Sequence, residues 1–240
     1  MLGGGHMAEA ENKQTDVAQG LLNHHAAALV NVAKRAGVRH VDVEAAIKRW
    51  NGASNGAETF IYQDAAERVF GAPQSAWQRR HKVRLFEGST FADSHKASVK
   101  RHKDRLAEIA ALPDNAYQTA EDVADGIVTA MYNLRQESLR KADVKELILY
   151  RGVRSKVLNR TALIEDENIE YVGNALESWS CYPAQADRFA GFKGAVMRAL
   201  IPAERVFARS GTGMGVYKVG EVVVMATDGS TDVVTIHFVG

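Results

Sequence analysis

A single cysteine, Cys181, stands in 240 residues. It excludes an intramolecular disulfide and fits a reducing compartment. Net charge is nearly absent too: 30 Lys and Arg against 29 Asp and Glu leave +1. The molecule as a whole therefore has no long-range pull toward nucleic acid or an anionic membrane. No apolar run is long enough to span a bilayer. There is no internal repeat and no low-complexity tract. His24, His25, His81, His95 and His102 lack a cysteine or carboxylate pair at metal-ligand spacing, so no metal site is expected. Gly211-Thr212-Gly213-Met214-Gly215 has neither a following helix nor a Gly-Lys-Ser/Thr, and reads as a turn, not a phosphate loop.

What is present is ordinary globular material, with 46% apolar and 25% charged residues. The length suits one core, or a compact catalytic domain with a helical extension. Met1 to Met7 (MLGGGHM) reads as a vector scar, which leaves the native start open. With the polar stretch to residue 20 it forms a flexible tail, ahead of a helical extension over 21–118 and a sheet-rich unit over 119–240.

Between Leu21 and Arg49 apolar residues recur at helical spacing, interrupted by Gly37, which predicts two short helices with Asp42 as a cap of the second. Further helices are expected over Glu58 to Phe70, Ser94 to Ala111 and Thr119 to Arg140. The last has Thr119 as N-cap, Asp122 three residues on, and an apolar stripe of Val123, Ile127, Ala130, Met131 and Leu134. Between Arg79 and Arg105 nine Lys or Arg face three Asp or Glu, which as a helix face is most simply solvated.

After Lys141 the texture changes to short β-branched runs parted by Gly, Asn, Ser and Pro. Strands are expected over Leu147–Arg151, Asn174–Ser180, Ala195–Ile201, Val206–Ala208, Glu221–Ala226 and Val233–Val239. Helices first and strands second argue for an α+β fold, not a doubly wound parallel sheet.

Three segments of this half carry chemistry: Leu149-Tyr150-Arg151-Gly152, Glu177-Ser178-Trp179-Ser180, and Gly220-Glu221-Val222-Val223-Val224. A guanidinium, a small hydroxyl and a carboxylate on separate strands suit a ligand with phosphates and sugar hydroxyls, whose breaking bond leaves positive charge. In order and spacing the triple resembles the Arg–Ser–Glu class of mono-ADP-ribosyltransferases, over roughly Asp122 to the C-terminus.

That resemblance implies N-terminal helices followed by the small split β-sheet of an ADP-ribosyltransferase fold, and NAD as substrate, with no metal. Arg151 would then anchor a phosphate, beside Gly152. Ser178 would position the ribose, supported by Trp179 and Ser180, and Glu221 would stabilise the oxocarbenium-like transition state. Ala186 to Ala190 resembles the short helix that follows the serine motif in the family, making Phe189 or Phe192 the aromatic wall for nicotinamide. Arginine-modifying members carry a second Glu two residues before the catalytic one; here that position is Val219. The target is then another group, the accessory acid comes from elsewhere in the chain or its partner, or water completes an NAD glycohydrolase reaction. By analogy with the family, such a chain is a bacterial toxin or effector delivered into the host cytoplasm to act on a host protein, secreted without a cleaved signal peptide; otherwise it is cytoplasmic.

Other readings stand beside this one. Arg151 could pair with a surface carboxylate, Ser178 and Ser180 could form the polar side of an ordinary strand, and Glu221 could be a solvated strand start. The chain would then be a catalytically degenerate member of the same fold, or a nucleic-acid-binding protein using Arg79, Arg80, Lys100 and Arg101 of the basic stretch.

Overall fold

The computed structural model describes residues 27–52, 56–113, 116–154, 168–171, 173–209, 220–226 and 232–238. Among these, the helices are α1 (27–36), α2 (His40–Gly52), α3 (Phe60–Phe70), α4 (Ala76–Phe86), α5 (Ala92–Ala110), α6 (Ala120–Lys141) and α7 (Pro183–Ala190). The strands are β1 (Glu146–Val153), β2 (Asn168–Tyr171), β3 (Leu176–Ser180), β4 (Ala195–Pro202), β5 (Val206–Arg209), β6 (Glu221–Met225) and β7 (Asp232–Phe238). The chain is α+β, and no described helix is long and apolar enough to cross a membrane.

Local chemistry explains most boundaries. Thr119 and Asp122 form a reciprocal capping box that fixes the start of α6, satisfying two backbone N–H groups that the helix leaves open. Gly71, at φ +65°, terminates α3 in the left-handed conformation. The start of α2 differs from expectation: the helix begins at His40, and Asp42 sits in its first turn with its carboxylate taken by Arg39 and Arg105. Two elements were not expected. Basic residues crowd α4, yet Ser75 caps it by accepting a hydrogen bond from Gln78 N. The four-residue β2 carries only Ile169 and Tyr171 as apolar signal.

All strand pairs are antiparallel, in the order β2-β7-β4-β1-β3-β6-β5. β1 and β4 pair along their full length, from Glu146↔Pro202 to Val153↔Ala195. β1 and β3 meet at one residue pair only, Tyr150↔Ser180. The sheet therefore opens at this seam into a four-stranded and a three-stranded half.

Two apolar cores account for the packing. Leu149, Met197, Ile201, Val234 and Ile236 from one half meet Trp179, Val206, Val222 and Val224 from the other. The opposite face of the three-stranded half, with Leu176, Phe207, Val223 and Met225, packs on the helices through Ile61, Tyr62, Leu106, Ile127 and Met131. β6 is thus buried on both faces, which is why it reads as the unbroken run Val222-Val223-Val224-Met225. α6 joins the helices to the sheet: Gln136 Nε2 donates to Ala203 O and Val206 O, each at 2.9 Å. A small third cluster seats α7 on β4 and β1 through Ala186, Ala190, Val196 and Tyr150.

Candidate functional site

Arg151, Ser178 and Glu221 come together at the seam. In the β3–β6 register Ser178 faces Val223 and Ser180 faces Glu221. Ser178 and Glu221 are therefore diagonal neighbours on one face, a placement that lets polar side chains meet. Ser178 Oγ donates to Glu221 Oε1 at 2.5 Å. Val223 belongs to the helix-side core, so this pair lies on the helix-facing side of β3 and β6.

Arg151 comes from the other side. Alternation along β1 puts it on the same face as Leu149, toward the core between the two halves. Because β1 and β3 separate after Tyr150↔Ser180, its side chain crosses the gap and Nη1 donates to the Ser178 carbonyl. Nη2 lies 3.0 Å from Oε1 of Glu177. The Nε donor is buried and makes no hydrogen bond. Burial alone would lower the Arg151 pKa, but the charge of Glu177, with smaller contributions from the Tyr171 hydroxyl and Glu221, outweighs it and holds the group above its ordinary value.

Glu177 is the residue that sequence reasoning missed. Its carboxylate is buried, and besides Arg151 it accepts from the Tyr171 hydroxyl at 2.8 Å on each oxygen and from Asn174 Nδ2 at 3.1 Å. Burial, reinforced by Glu177, pushes the Tyr171 phenol well above its ordinary pKa, so it serves as a neutral donor. Asn174 Oδ1 in turn accepts from Ser75 Oγ at 2.8 Å, linking the cap of α4 to this network. A glutamate between Leu176 and Ser178 looks solvated in the sequence; the β2–β3 connection turns Tyr171 and Asn174 onto it.

The helices also hold the backbone of β3. Gln63 Nε2 donates to Leu176 O at 2.8 Å, and Leu176 N donates to Gln63 Oε1 at 2.6 Å. Ala175 N donates to Gln78 Oε1 at 3.0 Å. Both glutamines are 1% exposed, so these bonds are shielded from water and correspondingly strong. The entry to the Ser178 strand is thereby tied to α3 and α4.

The remaining expected contacts divide. Ser180 is buried and its Oγ accepts from Tyr182 N at 3.0 Å, shaping the turn into α7. Gly152 has a packing role: a Cβ there would stand 2.0 Å from Ala186 O and 2.5 Å from Ala190 N, so glycine is what lets α7 lie against β1. Trp179 is not brought to the Ser178–Glu221 pair. Its indole is buried in the inter-half core, edge-on to Tyr171 at 6.2 Å, on the opposite face of β3 from Ser178. Phe189 and Phe192 are 51% and 75% exposed on α7 and the turn after it. Lys193 Nζ sits 5.4 Å from the Phe192 ring centroid.

The approach to Glu221 is only partly described, since 210–219, including Val219, lies outside the described residues. Gly220 has φ +57° and a Cβ there would meet the Tyr182 ring at 2.5 Å, so this turn needs glycine. Gly220 O accepts from Cys181 N at 3.1 Å, extending the β3–β6 ladder and fixing where Glu221 begins. Arg79, Arg80, Lys100 and Arg101 are exposed on α4 and α5, where Lys100 already pairs with Asp104 at 2.7 Å.

A carboxylate held by a serine hydroxyl, with a guanidinium at the carbonyl of that same serine, forms one connected polar group on three strands. Such a group can orient a sugar hydroxyl and stabilise adjacent positive charge. Comparison with family models, with curated proteins and with solved structures gives no match to this chain.

Proposed function

We propose that this chain transfers ADP-ribose from NAD to a macromolecule, releasing nicotinamide. The observation that carries the reading is the convergence of Arg151, Ser178 and Glu221, drawn from three separate strands, through the Ser178–Glu221 hydrogen bond and the Arg151–Ser178 carbonyl contact. The sequence resemblance to the Arg–Ser–Glu transferases and the opened sheet seam point the same way.

In this reading the C–N bond between nicotinamide and ribose breaks first. Nicotinamide leaves with the bonding pair as a neutral molecule, and the ribose carries oxocarbenium character. Glu221, oriented by Ser178, hydrogen-bonds a ribose hydroxyl and opposes the developing charge with its own. Arg151 takes a phosphate oxygen through donors that Glu177 and Ser178 leave over, the unpartnered Nε among them. An acceptor nucleophile then bonds to the anomeric carbon and loses its proton; with water as acceptor the same steps give NAD hydrolysis. A host protein as acceptor, and delivery of the chain into a host cell as an effector, follow from the family analogy.

The test is label transfer from NAD tagged on its adenine half, with a eukaryotic lysate as acceptor source. Tagged macromolecules that appear with the wild type and not with Glu221→Gln support transfer. Tagged free ADP-ribose alone identifies a glycohydrolase. No release of either kind favours a catalytically degenerate binding protein of the same fold.

A further inference from the structure

A cavity of about 520 Å³ opens in the helical layer between α3, α4 and α5, and it shares no residue with the seam of the sheet. Its size is that of a small-molecule site. The basic stretch from Arg79 to Arg105 divides around it. All four lysines of that stretch, Lys82, Lys96, Lys100 and Lys103, line the cavity, and none of its five arginines does. Helical spacing explains the gathering. Lys96, Val99, Lys100 and Lys103 recur at three- and four-residue steps and so share one face of α5. Lys82 and Phe86 do the same on α4, and Phe60 and Asp64 on α3.

The floor is apolar and aromatic. Phe60, 3% exposed, meets Phe86 edge-on with 6.4 Å between ring centroids, and Ile61 and Val99 complete the surface. Lys82 Nζ stands over the Phe60 ring at 5.6 Å, an attractive placement for a cation. The rim is cationic: the four lysines share it with only two carboxylates, Asp64 and Asp104. Lys82 pairs with Asp64 and Lys100 with Asp104, each at 2.7 Å, and Lys103 reaches Glu121 at 3.0 Å. These pairs are open to water, where such contacts contribute little and exchange readily. Asp64 also accepts from Gln74 Nε2 at 2.7 Å, so it keeps a donor when Lys82 turns to a ligand. Lys96 adds a charge that none of these pairs uses. A lysine is a compact point charge on a mobile stem, so this rim selects negative charge without imposing the geometry of one headgroup.

We infer that this cavity binds a small aromatic anion. A flat ring system lies on Phe60 and Phe86, and the carboxylate, sulfonate or phosphate it carries meets the lysines of α4 and α5. Both halves are needed: a neutral ring leaves the lysines unused, and a bare anion leaves the floor wet. The inference is independent of the transferase reading, because Arg151, Ser178 and Glu221 take no part in it.

The test is fluorescence titration of the full chain with anilinonaphthalene sulfonate, an aromatic anion whose emission rises in apolar surroundings. The expected result is saturable binding of one probe per chain. Lys96→Gln with Lys100→Gln, both at exposed positions, should weaken it by about fivefold or more. Arg80→Gln with Arg101→Gln removes the same charge from exposed positions outside the cavity and should leave binding unchanged. Phenyl phosphate, adenosine monophosphate or both should displace the probe where sodium phosphate at matched ionic strength does not. Displacement by the nucleotide identifies a nucleobase as the ring, and displacement by phenyl phosphate alone identifies a simple aryl acid. The inference is overturned by an absence of saturable binding, by equal effects of the two double variants, or by displacement with neither aromatic phosphate. Displacement by sodium phosphate as strong as by the aromatic phosphates overturns it too, since the aromatic floor would then contribute nothing.

Discussion

Ser178 Oγ and Glu221 Oε1 are 2.5 Å apart, although 43 residues separate them in the chain. The β3–β6 register makes them diagonal neighbours, and the Gly220 turn sets that register from the other end. Ser178 thus orients the carboxylate on which the proposed chemistry turns. Replacing it by Ala should leave the fold intact and lower kcat for nicotinamide release by about tenfold to a hundredfold, the value of a hydrogen bond to a charged group. Matched thermal melts and initial rates check this; an unchanged kcat would remove Ser178 from the site.

Glu177 and Arg151 should dominate the stability of the seam. Glu177→Ala strands the Arg151 guanidinium and leaves the Tyr171 and Asn174 donors without their acceptor, so it should cost about 3–5 kcal/mol. Glu177→Gln keeps the shape and one acceptor oxygen and should cost less. Urea denaturation of both variants tests the ranking. Equal stabilities of the two variants would mean that the retained shape and acceptor oxygen contribute nothing and that the charge of Glu177 carries the whole effect.

Gln63 offers a third check, at a distance from the chemistry. Gln63→Leu removes both hydrogen bonds to the Leu176 backbone and leaves a buried N–H and C=O unpaired, each worth about 1–3 kcal/mol. The variant should be less stable, and amide exchange at Leu176 should accelerate. Unchanged exchange there would show that β3 does not depend on the helical layer.

Acid sensitivity should trace in part to Asp42. Burial would raise its pKa, but hydrogen bonds from Arg39 and Arg105 outweigh it and hold the carboxylate below the ordinary 3.8. A depressed folded pKa contributes stability that is fully present above the unfolded value and is lost as pH falls through the folded one. The wild type should therefore lose stability relative to Asp42→Asn as pH drops below about 4. Denaturation midpoints between neutral and strongly acidic pH read this directly, and parallel curves would contradict it.

The sequence made some of this legible, for identifiable reasons. α6 announced itself because its cap, its first turn and its apolar stripe are all local. β6 did so because burial on both faces leaves an uninterrupted valine run. Arg151, Ser178 and Glu221 stood out as chemistry-bearing residues on separate strands. Asp42 was misread as a cap because one of its partners, Arg105, is 63 residues away. α4 hid behind its basic residues and β2 behind its shortness. Glu177, Gln63 and Gln78 carried no signal, since a polar residue in an element looks solvated until its distant partners are placed.

The most direct test of the central claim is nicotinamide release from NAD by the purified chain, with and without lysate, beside Glu221→Ala. The wild type should release nicotinamide, and the variant should lose about a hundredfold or more of that rate, on the scale of removing a transition-state electrostatic partner. Release that survives the substitution undiminished would contradict the account, because Glu221 would then not be the group that stabilises the breaking bond.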